Sequence, residues 1–182
     1  MPATGRIGAA RLVEVWTMRA LVPLDGSDTA LAILPAVRRL AEMAPGIELH
    51  LVTVLDPQAV RGRMERPVTE PLGAAAGTAT IRIPAPRLIE SHGEAIARKS
   101  TEWREKLEEI ARRELPGTDT QVHVEWSHHT AKAIIELANE LDVDVIAMAT
   151  HGRSGLSHLL AGSVAEEVIR DGGRPVLVVR GK

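Results

Sequence analysis

The chain has 182 residues, with 22 Lys+Arg against 24 Asp+Glu, a formal charge of −2, 45% hydrophobic and 25% charged residues. That balance describes one globular domain with a sizeable core, and it excludes wholesale disorder and the excess positive charge that non-specific nucleic-acid binding requires. Cysteine is absent, and with it disulfides, thiolate metal sites and thiol catalysis; with no Phe or Tyr and three Trp, the core is aliphatic and an aromatic platform for stacking bases is excluded.

Residues 1–17 carry an early Arg and no long apolar stretch before Trp16, so they are expected to be an N-terminal extension rather than a secretory signal, leaving a domain over 18–182. No apolar run approaches the ~20 residues of a membrane helix, so no membrane partner and a cytoplasmic location are expected. Arg19 to Leu24 reads as a first strand, ending in the turn and N-cap cluster Asp25-Gly26-Ser27-Asp28. Ala30, Leu34, Val37, Ala41 and Ala44 then share one helix face, with Pro35 expected to kink that helix or loosen its first turns. Pro45-Gly46 stops it, Ile47 to Leu55 forms a second strand, and Asp56-Pro57 ends that.

From Gln58 to about Glu90 the pattern lapses. Pro67, Pro71, Pro84, Pro86 and the Gly73–Gly77 run carry no sustained period, which predicts a flexible insertion, with Arg61 to Pro86 the most mobile internal stretch. Ile96, Trp103, Leu107, Ile110 and Ala111 restore helical spacing, and the Glu102–Glu114 charges read as a solvated face with pairs such as Glu102–Lys106. Gln121 to Trp126 alternates, Val122 and Val124 against His123 and Glu125. Ile134, Ala138 and Leu141 mark a helix, Val143 to Ala149 a continuous apolar strand, Val164, Val168 and Ile169 a last helix, and Pro175 to Val179 the terminal strand. Helices alternating with continuous apolar strands predict a single α/β domain, an open five-stranded parallel sheet covered on both faces, Rossmann-like in plan.

Such sheets bind ligands at the carboxyl ends of the strands, where strand order reverses. Asp25, Asp56, Trp126 to Thr130 and Thr150 to Arg153 follow the first four strand ends. After the fourth, glycines allow close backbone approach, and Gly162-Ser163 at a helix start offers free N–H groups and a hydroxyl to an anion. Arg153 and His158 add positive charge. The stretch is neither G-x-x-x-x-G-K-[ST] nor G-x-G-x-x-G, and it reads as phosphate binding of another kind in preference to plain turn chemistry. Asp25 also suits a plain turn or cap, and Ser163 a helix cap. His123, His128 and His129 read as exposed loop or capping residues, since no Cys or close carboxylate completes a metal set, and Met148 reads as core packing.

At this point the sequence resembles the universal stress protein family. The carrying residues are Leu21-Val-Pro-Leu-Asp-Gly-Ser27, His50-Leu-Val-Thr-Val-Leu-Asp56, Asp144 through Leu156, Leu160-Ala-Gly-Ser-Val-Ala-Glu166 and Arg174-Pro-Val-Leu-Val-Val-Arg180. Nucleotide-binding members carry G-x2-G-x9-G-[ST], which registers here as Ala149-x2-Gly152-x9-Gly162-Ser163, with Ala149 in place of the first glycine. The resemblance implies that Pro23, Leu24 and Asp25 contact the adenosine end of ATP or AMP and that Val54 offers backbone to adenine. It places Gly152, Gly162, Ser163 and Val164 around phosphates that Mg2+ can bridge, with Ala149, His151 and Arg153 in the same loop. It also implies a homodimer through Val176 to Val179. Asp25 and His151 are candidate bases, but nothing positions an attacking water, so the expected function is nucleotide-dependent stress response or signalling, with at most slow ATP hydrolysis. A nucleotide-free dimeric interaction protein is the alternative.

Overall fold

A computed structural model describes residues 17–65, 87–151 and 162–181. The expected N-terminal extension, the centre of the expected insertion, and Gly152, Arg153 and His158 lie outside the described residues.

Strand β1 (Arg19–Pro23) is the centre of a five-stranded sheet that also contains β2 (Glu48–Leu55), β5 (Asp119–Trp126), β6 (Val145–His151) and β7 (Val176–Gly181). The order is β5-β2-β1-β6-β7 and every pairing is parallel. A parallel sheet is covered on both faces, so neighbouring residues of one strand enter opposite apolar layers. Ala20 and Val22 join Leu49, Leu51, Val145 and Ala147 in the first layer, while Leu21 joins Val52, Ile146 and Met148 in the second. Helices α2 (Leu34–Met43) and α3 (His92–Glu114) close the first layer with Ile33, Leu34, Val37, Leu107 and Ile110. Helices α4 (Thr130–Glu140) and α5 (Ser163–Asp171) close the second with Ala131, Ile134, Leu137, Ala138, Ala165 and Val168. Full burial of each large aliphatic side chain contributes ~1.5–3 kcal/mol against the entropy of ordering it.

Three local expectations are corrected. The helix expected from Ala30 onward is broken: a single turn, α1 (Asp28–Leu31), is followed by α2, which starts after Ile33 with Pro35 in its first two positions. A continuous helix would set the Pro35 ring against the Leu31 carbonyl, whereas near a helix start the missing N–H costs nothing. The residues expected to be irregular from 58 to 90 contain a short antiparallel ribbon, β3 (Arg63–Glu65) paired with β4 (Arg87–Glu90). Met64 and Ile89, one on each strand, are exposed, and strands of three and four residues are too short for an alternating pattern to show in the sequence. The fourth strand of the main sheet begins at Val145 rather than Val143 and runs on through Thr150 and His151, held in register to Arg180 and Gly181.

Helix α3 starts at a capping box: Ser91 N donates to Glu94 Oε2 at 2.7 Å and Glu94 N to Ser91 Oγ at 3.2 Å. Its charged face is solvated as expected, but the expected Glu102–Lys106 pair is not formed. Glu102 accepts from Lys99 at 2.9 Å, and the Lys106 ammonium instead lies 4.3 Å from the centre of the Trp103 ring.

Candidate functional site

The chain steps from β1 outward through β2 to β5, then returns to β6 on the other side of β1, so strand order reverses between β1 and β6. A cleft of about 230 Å3 opens at the carboxyl ends of these strands.

Its floor and walls come from six elements, α1 among them through Thr29 and Ala30. The end of β1 supplies Pro23, the buried Leu24 and the exposed Asp25; Leu24 N donates to Val52 O at 2.8 Å, so β1 stays paired to its last residue before the turn. Gly26 has φ +77, a conformation that favours glycine, and it lets the chain double back at once into α1. Asp25 Oδ1 accepts from Ser27 N at 2.9 Å and Ser27 Oγ at 2.6 Å, and Ser27 Oγ in turn accepts from Ala30 N at 3.1 Å. The Asp25 carboxylate therefore makes the turn and also lines the cleft, both roles its position allowed. Its Oδ2 has no partner among the described residues.

Val52 and Val54 of β2, Met148, Ala149 and Thr150 of β6, and Thr130 and Ile134 of α4 continue the wall, and Gly162 through Ala165 close it at the start of α5. Ala149 lies inside a regular parallel strand in register with Val179, where an L residue fits without strain, and its methyl packs on the first apolar layer. Gly162 N-caps α5 with no side-chain cap, unlike Ser27 on α1 and Ser91 on α3. Among the described residues the first amides of α5 thus have neither an intrahelical acceptor nor a capping oxygen, and they carry the positive end of the helix dipole. Asp25 is the sole ionisable side chain among the described lining residues.

The structure brings Pro23, Leu24, Asp25, Val54, Ala149, Gly162, Ser163 and Val164 around this one cleft. His151 ends β6, and Gly152 and Arg153 lie outside the described residues. Thr130 and Thr150, expected at strand ends, also line the cleft. Sequence reading passed over Ser27, Thr29, Ala30, Val52, Ile134 and Ala165 as lining residues, and it assigned Met148 to packing alone, whereas Met148 is buried and also lines the cleft. Most of these come from the α1 turn, β2 and α4, which sequence order separates from the motif. Hydroxyls at helix starts and the inward face of β2 were the available signals.

The histidines form two pairs elsewhere. His123, expected to be exposed, is partly buried on β5, and its Nε2 lies 3.0 Å from Nδ1 of His50, which is only 2% exposed. The edge strand turns His123 toward the second layer, where Val52 is its register partner. His50 Nε2 is buried without a hydrogen bond, and Glu48 Oε1 stands 3.6 Å away. Burial pushes both imidazoles below their ordinary pKa, against the opposing pull of Glu48 on His50 and of Glu125 on His123. His128 Nδ1 meets Asp56 Oδ1 at 2.8 Å across the ends of β5 and β2, and His129 precedes α4. The backbone N–H of Gln58, then His128, holds the Asp56 carboxyl below its ordinary value. Among the described residues no three His, Asp or Glu side chains are grouped to hold a metal ion, and no helix is long and apolar enough to cross a membrane.

A doubly wound α/β domain with a cleft at the strand-order reversal and a bare helix N-terminus on its rim defines a class built to hold a small ligand at the carboxyl edge of the sheet. The model of the universal stress protein family matches residues 17–180, and the chain belongs to that family. It is 28% identical over 173 residues to universal stress protein MJ0577 of Methanocaldococcus jannaschii, covering 93% of this chain and 99% of that one. The solved structure of MJ0577 superposes with a TM-score of 0.61 at 25% identity, over 91% of this chain and 96% of that one. A universal stress protein in complex with cAMP superposes with a TM-score of 0.58 at 19% identity, over 91% of this chain and 98% of that one. One from Archaeoglobus fulgidus in complex with dAMP gives 0.51 at 20% identity, over 90% and 98%. The last two likenesses show a shared fold.

Proposed function

We propose that the cleft binds an adenine nucleotide, ATP or AMP, and that the protein is a nucleotide-dependent stress-response or signalling module. The observation that carries this reading is the convergence of the β1 turn, the β2 end and the uncapped start of α5 on one cleft. Adenosine lies between Pro23–Asp25 and Val54. The phosphates run toward Gly162, Ser163 and Val164, and the family pattern adds Gly152, His151 and Arg153 as further phosphate contacts. The solved complexes with cAMP and dAMP support an adenine nucleotide as the ligand class. Asp25 is the sole carboxylate among the described lining residues and is the side chain that would face a Mg2+ ion, which would depend chiefly on the nucleotide for its oxygen ligands.

The chain's own residues bind and orient rather than turn over. Asp25 Oδ1 is committed to Ser27, which suits a fixed acceptor better than a mobile general base. A homodimer forms through β7, one of the two edge strands of the sheet, where Val178 is 38% exposed. That edge also favours the second reading, a dimeric interaction protein that needs no nucleotide. Native mass spectrometry of the purified protein, followed by titration calorimetry with ATP and AMP, separates the two. Co-purified or saturably bound adenine nucleotide supports the first; no saturable heat at millimolar nucleotide and Mg2+ gives the second.

A further inference from the structure

Helix α1 forms a wall of the cleft through Thr29 and Ala30, yet it is a single turn with no buried residue of its own. A turn this short is not stable by propensity, so its position is set by what it rests on. Two glycines mark the supports. Gly181, the last residue of β7, is buried, and a methyl placed on it would lie 2.6 Å from Thr29 Cγ2, 3.2 Å from Thr29 Cα and 3.3 Å from Thr29 Cβ. The Thr29 methyl makes by far the closest contact, so it must leave its seat or α1 must move with it, while the Cα and Cβ contacts ask for only a few tenths of an ångström. At the other end, a methyl on Gly26 would lie 2.8 Å from Trp103 Cη2 and 2.5 Å from Lys106 Nζ, the same pair joined by the cation–π contact. The turn that carries Asp25 and Ser27 therefore lies directly against the Trp103 ring.

We propose that Gly181 and Trp103, neither of which lines the cleft, are positioning residues that seat α1 and the Asp25–Ser27 turn for ligand binding. The inference deepens the nucleotide reading and rests on it for its functional consequence, but the seating itself is a property of the ligand-free protein. Thr29 is the link on one side, touching Gly181 with its methyl while lining the cleft. Gly26 is the link on the other.

The test is a double-mutant cycle on Gly181→Ala and Thr29→Ser, because serine lacks the methyl that the new alanine would strike. In ligand-free protein, amide NMR shifts of Gly181→Ala are expected to spread from β7 to Ser27 through Leu31, and adding Thr29→Ser is expected to return them toward wild type. In calorimetry with ATP, Gly181→Ala lowers affinity by about tenfold, and the double variant binds more tightly than Gly181→Ala alone. Trp103→Leu, which removes the other support without touching β7, also weakens binding and serves if Gly181→Ala disturbs the edge strand. Shifts confined to β7 and its strand partner overturn the seating. Wild-type affinity in both Gly181→Ala and Trp103→Leu overturns their positioning role. If wild type gives no saturable heat, the nucleotide reading fails and the positioning role falls with it, while the NMR cycle still decides the seating.

Discussion

Replacing Gly162 by Val tests the phosphate end of the cleft with little risk to the fold. Gly162 has φ −62 and ψ 160, a conformation open to any residue, and a methyl built on it meets no described atom within 4 Å. The first bond of α5, Glu166 N to Gly162 O at 3.0 Å, is made by backbone and survives the change. The added isopropyl group is expected to crowd phosphates held, as proposed, on the first amides of α5. A hydrogen bond to a charged oxygen is worth ~1.5–3 kcal/mol, so losing two costs ~3–6 kcal/mol. That corresponds to a drop in affinity of about 10² to 10⁴. The helix dipole adds ~0.3–1 kcal/mol for each charge held at the terminus, so it is the smaller contribution. Titration calorimetry with ATP reads the loss, and thermal melting followed by circular dichroism verifies that the variant is folded. A Gly162→Val variant that melts like wild type and binds ATP within about threefold of it would refute phosphate placement on α5.

Ala149→Gly is expected to bind ATP as well as wild type or more tightly, since it restores the family's first motif glycine; weaker binding by calorimetry would make the Ala149 methyl part of the site. Val178→Lys places a charge on the exposed face of the β7 edge, and sedimentation is expected to show a dimer becoming monomer; a wild-type monomer at micromolar concentration defeats the dimer outright. The His50–His123 pair makes stability depend on pH. Both native pKa values lie below the ordinary 6.5, so in that interval the unfolded chain binds more protons; stability is fully present above about 6.5 and is lost as pH falls through the native values. Urea unfolding between pH 5 and 8 should show this slope, and His123→Gln should reduce it by at most about 1.4 kcal/mol per pH unit. An unchanged slope would remove His123 from the titration, which Glu48, Asp119 and Arg19 around His50, and Glu125 and Glu140 around His123, also influence.

The alternation of apolar strands with helices sufficed to define the parallel sheet, because a strand buried on both faces must be apolar along its whole length. Leu21, Leu51 and Ile146 obey that rule, and all three are fully buried. The turn Asp25-Gly26-Ser27 and the start of α5 at Gly162-Ser163 were also legible, since both depend on local backbone chemistry that sequence states directly. Pattern reading placed a single helix where Pro35 divides two, because the apolar spacing runs on across the break: Ile33, Leu34 and Val37 remain buried. The short ribbon of β3 and β4 was beyond sequence, as strands of three and four residues are too short to show an alternating period. Only the tertiary structure could bring Thr130 and Ile134 of α4 to the same cleft as Thr29, or set His123 against His50. Those meetings are made by the order in which strands pair, β5 beside β2 and β6 returning to β1. Local periodicity carries which way a side chain faces, and strand order decides what it meets there.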